Sequence, residues 1–152
     1  GNSFDLCRLG VEAGYRSVMI DGSKLPFAEN IALTQKTITV AHAAGIPVIF
    51  LTANMLNTYV RPDTIPMYRG YAAVTASYQN GGRMDAYLEA ARQAAASRGI
   101  PVADAYAKWK ALQKSGVDTT LCLANRINHP TREMHGLFVE ALMEVLDREI
   151  TA

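Results

Sequence analysis

The sequence has little cysteine, almost no net charge and no long apolar run, and each shortage removes a class of protein. Cys7 and Cys122 are the only cysteines in 152 residues, far apart and without CxxC spacing. A disulfide framework or a Cys-rich zinc module is therefore excluded, and both read as core or half-buried thiols of a reducing compartment. Lys and Arg number 15 against 14 Asp and Glu, a net charge of +1 with no block of like charges. The electrostatic footprint of a nucleic-acid or anionic-membrane binder is missing. Apolar runs such as VIFL at 48–51 fall far short of the roughly 20 residues that a membrane span needs. The polar start GNSFDLCR lacks the apolar stretch of a secretory leader, so a cytoplasmic location is expected. What is present, 49% hydrophobic and 19% charged residues, suffices for one globular domain over residues 1–152 with an ordinary core.

Apolar periodicity and breakers alternate along the chain as they do in a parallel sheet covered by helices, so the class is α/β. Ser3 can cap a first helix that stops at Gly14, and residues 17–20 (SVMI) read as a short buried strand ending in the turn Asp21-Gly22-Ser23. A helix begins near Pro26 and runs to about Ala44, with Gly45 closing it. Residues 48–52 (VIFLT) form the second strand. Between 54 and 79 the pattern weakens: Pro62 and Pro66 interrupt it, and Tyr59, Tyr68, Tyr71 and Tyr78 fall there. That segment reads as a loop followed by a helix over 67–79, either a loop packed by its own aromatics or a binding loop. Asn80-Gly81-Gly82 breaks the chain before an alanine-rich helix over 84–97, stopped at Gly99. A third strand is expected over 102–105, a helix over 106–114, and a loop over 116–128. Pro130 then opens a last helix with Leu137, Leu142, Val145 and Leu146 on one face.

Two family resemblances meet in this chain. SFDLCRLGVEAGYRSVMIDGSKLPFAENIALTQKTITVAHAAG, to about Gly45, closely resembles class II fructose-bisphosphate aldolases, whose fold is a (β/α)8 barrel. From there to about Leu146 the chain looks like the second half of an SGNH/GDSL-type hydrolase. GIPVIFLTANMLNTYVRPDT, GRMDAYLEAARQAAA, PVADAYAKWK and NRINHPTREMH carry that likeness. It implies a flavodoxin-like three-layer α/β/α fold with a small parallel sheet of about three strands in consecutive order and helices on both faces. Residues 1–45 and 46–152 thus read as the two parts of a chimera, joined in AHAAGIPVIF where a helix ends and a strand begins. A right-handed strand–helix–strand unit packs alike in a barrel and in an open sheet, which makes the junction physically sensible.

The resemblances also say what each part lacks. In the aldolases a divalent metal held by histidines and an acid/base aspartate carry the chemistry, and the matching stretch contains neither motif. Asp21, Gly22 and Ser23 are the remnants of the barrel mouth. In the SGNH enzymes the nucleophile comes from an early GDS block and the oxyanion donors from Gly and Asn blocks, none of which this stretch matches. His129 in Asn128-His129-Pro130 matches the general base, while Arg126 stands where the family carries an aspartate and Asp118 lies not far away. A base without nucleophile and oxyanion hole cannot perform acyl transfer. The alternative is a Ser23–His129 pair giving weak ester hydrolysis, against which Asp21 and Ser23 can simply satisfy the backbone of their turn.

The remaining histidines offer no metal site, since His129 and His135 lack helical i, i+4 spacing and no third ligand is evident. His129 is expected at a helix start, His135 on that helix's flank and His42 on the solvent side of its helix. Trp109, between Lys108 and Lys110, reads as a packing anchor rather than a base-stacking platform. No cofactor is expected. The strand at 17–20 would sit at a sheet edge, and a short apolar edge invites pairing, so a homodimer by strand-edge continuation or exchange of the N-terminal helix is expected. The function expected is that of an engineered chimera of two enzyme families with no evolved catalytic activity. Small-molecule or phosphate binding at the C-terminal ends of the strands is a weaker alternative.

Overall fold

The computed structural model of the chain describes residues 36, 39–41 and 43–151, with side chains as far as Arg148. The chain divides into two compact units, Gly1–Val48 and Ile49–Ala152. The first helix, the strand at 17–20, its DGS turn, Cys7 and His42 lie outside the described residues. Within the first unit, residues 36, 39–41 and 43 are helical. That helix closes as expected at Gly45, whose φ of 66° lets the Ile46 N–H reach the Ala41 carbonyl at 2.9 Å.

The second unit contains two short parallel strands, β1 (Phe50–Leu51) and β2 (Val102–Ala103), and four helices. The helices are α1 (Arg69–Asn80), α2 (Arg83–Ala96), α3 (Ala105–Lys114) and α4 (Gly136–Thr151). Single 3-10 turns, Pro66–Tyr68 and Glu133–His135, lead into α1 and α4. Phe50 pairs with Val102 and Leu51 with Ala103, through hydrogen bonds from Phe50 N–H to Pro101 O (2.9 Å) and Thr52 N–H to Ala103 O (3.1 Å). Parallel pairing demands a long crossover, which α1 and α2 supply. The described residues are therefore mixed α/β, mostly helical, with a two-stranded parallel sheet.

Sequence chemistry accounts for the boundaries. The expected third strand over 102–105 stops two residues early because Asp104 caps α3, its carboxylate accepting the Ala107 N–H at 3.0 Å. α2 ends in a left-handed Gly99 (φ 64°), which lets Ile100 N–H bond to Ala95 O at 3.0 Å while Ile100 itself is buried. Pro130 does not open the last helix. It pairs with Leu123 in an isolated antiparallel bridge, and α4 begins only at Gly136. On α4 the inward residues are Ala141 and Val145 with Phe138 and Leu142 packed beside them, whereas Leu146 is exposed.

Among the described residues two apolar clusters form the core. Met55, Leu88, Tyr106, Trp109 and Leu123 make the larger, with Met84, Cys122, Met134 and Leu137 against it. Ala103, Ala105, Ala141 and Val145 make the smaller, under Ile49. A polar network runs alongside the larger cluster. Arg92 holds both Asp104 oxygens (2.7 and 3.0 Å), and the Thr52 hydroxyl donates to Asp104 at 3.0 Å while accepting the Tyr106 N–H at 2.8 Å. The Tyr106 hydroxyl donates to Asp85 (3.1 Å) and accepts from Gln79 (2.7 Å), whose amide oxygen takes the Leu56 N–H at 2.9 Å. Burial pushes the Tyr106 phenol up to about 12, so it stays a donor at neutral pH.

Asp104 makes this network pH-dependent. Burial works to raise its carboxyl, but the Arg92 guanidinium, the Ala107 N–H and the Thr52 hydroxyl outweigh it and hold the group below its ordinary value of 3.8. A depressed acid contributes its stability above the unfolded value and loses it as the pH falls through the folded value. In thermal melts across pH, the stability gap between the wild type and Asp104→Asn is expected to be full above 3.8 and to narrow below it. A gap that stays constant far into the acid range would show the carboxylate contributes nothing as an anion.

Candidate functional site

Among the described residues singled out for chemistry, His129 lines a cavity. It lies on the loop between α3 and α4, at an open groove of about 480 Å3. Asp63, Ile65, Tyr68 and Tyr71 line one side and residues 124–129 the other.

The loop is folded around Asn125. Its side-chain oxygen accepts three backbone N–H groups, from Ile127 (3.0 Å), Asn128 (2.9 Å) and His129 (3.0 Å), and its amide donates to the Asn128 side chain at 2.8 Å. One short side chain thereby satisfies a tight turn that has no secondary structure to do so. Ala124 N–H closes the turn on His129 O at 2.7 Å, and Asn54, beyond the end of β1, donates to Asn128 O at 3.0 Å. The loop that carries His129 is thus fastened to the segment that leaves the sheet.

Arg126 holds the turn in another way. Its φ of 59° is left-handed, a conformation that costs a non-glycine residue about 1–2 kcal/mol. Its guanidinium folds back onto the Leu121 and Leu123 carbonyls, both at 2.8 Å, and reaches Asp63 at 3.5 Å. Asp63 is also gripped by Arg61 at 2.7 Å, and that guanidinium holds the carboxyl below the ordinary carboxylate value. Asp118 is occupied too, accepting from the Tyr59 hydroxyl (2.6 Å) and the Thr120 N–H (3.0 Å). The His129 residue is exposed, and among the described residues none hydrogen-bonds to its ring; only its backbone N–H and carbonyl are engaged, by Asn125 Oδ1 and the Ala124 N–H. The position that the resemblance assigns to an orienting carboxylate is filled by a cation engaged elsewhere.

The other sequence candidates fall as follows. Ser23, with Asp21 and Gly22, lies outside the described residues. His129 is in a loop rather than at a helix start, several residues before the turn at Glu133–His135. His135, in that turn, is exposed, with Nδ1 2.9 Å from Thr131 O and its ring beside Phe138. Among the described residues no three His, Cys, Asp or Glu side chains come together to hold a metal ion. Trp109 is fully buried in the core, as expected of a packing anchor. Cys122 is a free, half-buried thiol whose pKa burial pushes up, which keeps it a poor nucleophile. No helix among the described residues is long and apolar enough to cross a membrane.

The segment over 54–79 corrects the sequence reading most. Its four tyrosines do not pack it, for Tyr59, Tyr68, Tyr71 and Tyr78 are all exposed. Asn57 organises it instead: fully buried, it donates to Tyr59 O and Ala72 O, both at 2.9 Å, and accepts from the Thr75 hydroxyl at 2.6 Å.

Comparison with known proteins places one part of the chain. Residues 1–48 match the class-II fructose-bisphosphate aldolase family. Over 48 residues the chain is 48% identical to a fructose-bisphosphate aldolase of Staphylococcus aureus and 46% identical to those of Geobacillus stearothermophilus and Staphylococcus epidermidis. That stretch is 32% of this chain and 17% of each relative, so the chain spans under a fifth of the length of the curated relatives it matches. No solved structure matches the chain.

Proposed function

We propose that the chain is a chimera, an aldolase-like segment joined to an SGNH-hydrolase-like α/β segment, and that it has no evolved catalytic activity. On this reading it is a product of fragment recombination, and the second unit keeps part of a flavodoxin-like three-layer fold. The end of the aldolase match at residue 48 coincides with the division into compact units after Val48, which supports the junction. The observation that carries the functional part is His129. A general base needs a neighbour that fixes its tautomer and stabilises its cationic form. Here the ring has no hydrogen-bond partner among the described residues, and Arg126 is engaged with carbonyls and Asp63.

The competing reading is weak ester hydrolysis through Ser23 and His129, and the open groove beside His129 is what favours it. Hydrolysis of an activated ester separates the two. Ser23→Ala is expected to leave the rate within about twofold of the wild type, because a lone exposed imidazole gives only buffer-like catalysis. A saturable rate that both Ser23→Ala and His129→Ala abolish would establish the hydrolase reading instead.

A further inference from the structure

We propose that Asn80 is a site of spontaneous covalent modification: when the last turn of α1 opens, the Gly81 backbone nitrogen displaces the Asn80 side-chain amide, and the acid formed no longer holds α1 to Thr58. The reaction needs neither Ser23 nor His129. Asn80-Gly81 is the single Asn-Gly step in the sequence. Lacking a Cβ, Gly81 leaves its nitrogen open to approach and its backbone free to rotate. Asn54, Asn57, Asn125 and Asn128 precede Met, Thr, Arg and His, whose side chains shield the corresponding nitrogen. Asn80 and Gly81 are both exposed, so water reaches the two reacting groups. The Gly81 nitrogen gives its proton to hydroxide and bonds to Asn80 Cγ, the amide nitrogen takes a proton from water and leaves as ammonia, and a cyclic succinimide remains. Water then adds to one of the two ring carbonyls, and the ring nitrogen leaves that carbon and recovers a proton. Opening at one carbonyl gives aspartate and at the other isoaspartate, whose main chain is longer by a methylene. Nothing is oxidised or reduced.

The fold decides when this happens. In the closed turn the Gly81 N–H donates to Ser77 O at 2.9 Å and the Gly82 N–H to Gln79 O at 3.3 Å, while Asn80 Nδ2 donates to Thr58 O at 2.7 Å. The attacking nitrogen is therefore occupied, the amide is held by a carbonyl of another segment, and ring closure has to wait until the Asn80 backbone rotates out of its helical conformation. Helix ends open at little cost, and two successive glycines gain more backbone freedom on opening than any other pair. Gly82 also depends on being glycine, since its φ is 72°. Once a carboxylate replaces the amide, it faces the Thr58 carbonyl oxygen instead of donating to it, and it places a negative charge at the C-terminal end of the α1 dipole. Both effects favour the open turn, so the modified chain does not regain the tether.

The full chain, folded or in urea, is incubated in mildly alkaline buffer and then cut with trypsin, which releases residues 70–83 as one peptide whose mass rises when the amide becomes a carboxyl. The folded chain should convert at Asn80 before any other asparagine, between about threefold and a hundredfold more slowly than the unfolded chain. Gly82→Ala keeps the reacting pair but strains the turn, so it should speed conversion of the folded chain at least about threefold and leave the rate in urea unchanged. Asn80→Gln, which would have to close a larger ring, should abolish it. As a second arm, Asn80→Asp stands in for the product, and hydrogen exchange at its Gly81 amide should be at least about threefold faster than in the wild type. A folded chain that never converts, equal rates folded and unfolded, a Gly82→Ala rate unchanged in the folded chain, or unchanged Gly81 exchange in Asn80→Asp would each overturn the assignment.

Discussion

Trp109→Ala is expected to cost about 3–5 kcal/mol, the largest loss of any single truncation in the second unit. Trp109 is fully buried on α3 and shares the larger cluster with Tyr106 of the same helix and with Met55, Leu88 and Leu123, which come from three other segments of the chain. Truncation removes most of the volume that these side chains pack around. They are anchored by different elements, so they cannot collapse together into the space. For a domain whose whole stability is of the order of 5–15 kcal/mol, that is enough to leave it marginal at 37 °C. Trp109→Phe isolates the reason. The indole N–H is buried without an acceptor, so the phenyl ring forfeits volume but no hydrogen bond. Its cost is expected below about 1.5 kcal/mol. Urea melts of the two variants supply the check: equal, large losses would mean that the N–H, and not the ring's bulk, matters.

Asn57→Asp is expected to cost about 2–3 kcal/mol although it changes the side chain's size hardly at all. The amide of Asn57 donates to the Tyr59 and Ala72 carbonyls inside the fold. A carboxylate presents oxygen to both, so two hydrogen bonds become two buried repulsions. The loss should shrink as the pH falls and the new carboxyl regains a proton to donate. Chemical denaturation near pH 7 and near pH 4 reads both parts of that expectation. A loss that does not depend on pH would mean that the amide donors are dispensable and that the residue acts through shape.

Asn57 also shows where sequence reading ended. Periodicity located α1 and α2 to within two residues at each end, and Gly45, Gly99 and the Asn80-Gly81-Gly82 break mark the ends that their backbone freedom implies. The cap at Asp104 is legible as well, since an acidic residue stands just before a helical pattern, but the strand expected over 102–105 runs one residue past it, whereas β2 ends at Ala103. Pro130 misled for a similar reason. Proline suits a helix's first turn, yet here it sits opposite Leu123 in a bridge made by the Ala124 N–H on His129 O and the Thr131 N–H on Cys122 O, and a local preference cannot distinguish the two. Of the two readings open for the 54–79 segment, a loop packed by its own aromatics and a binding loop, the exposed tyrosines disagree with the first. A tyrosine's hydroxyl lets it face water equally well, and which side wins depends on neighbours remote in sequence. Asn57 and Asn125 carried no periodic signal, because a buried amide is identified only by the carbonyls and N–H groups that the fold brings to it. At the groove, the histidine was visible in the NHP motif, whereas Asp63 on the opposite side was not, lying 66 positions away from His129.

Covalent labelling by an excess of a fluorophosphonate probe, read by intact mass, tests most directly whether His129 activates a nucleophile. An activated serine is phosphonylated stoichiometrically and an ordinary hydroxyl is not, because only the former has a base holding its proton. The full chain is expected to keep its unlabelled mass. Stoichiometric addition mapped to Ser23 and lost in His129→Ala would contradict it.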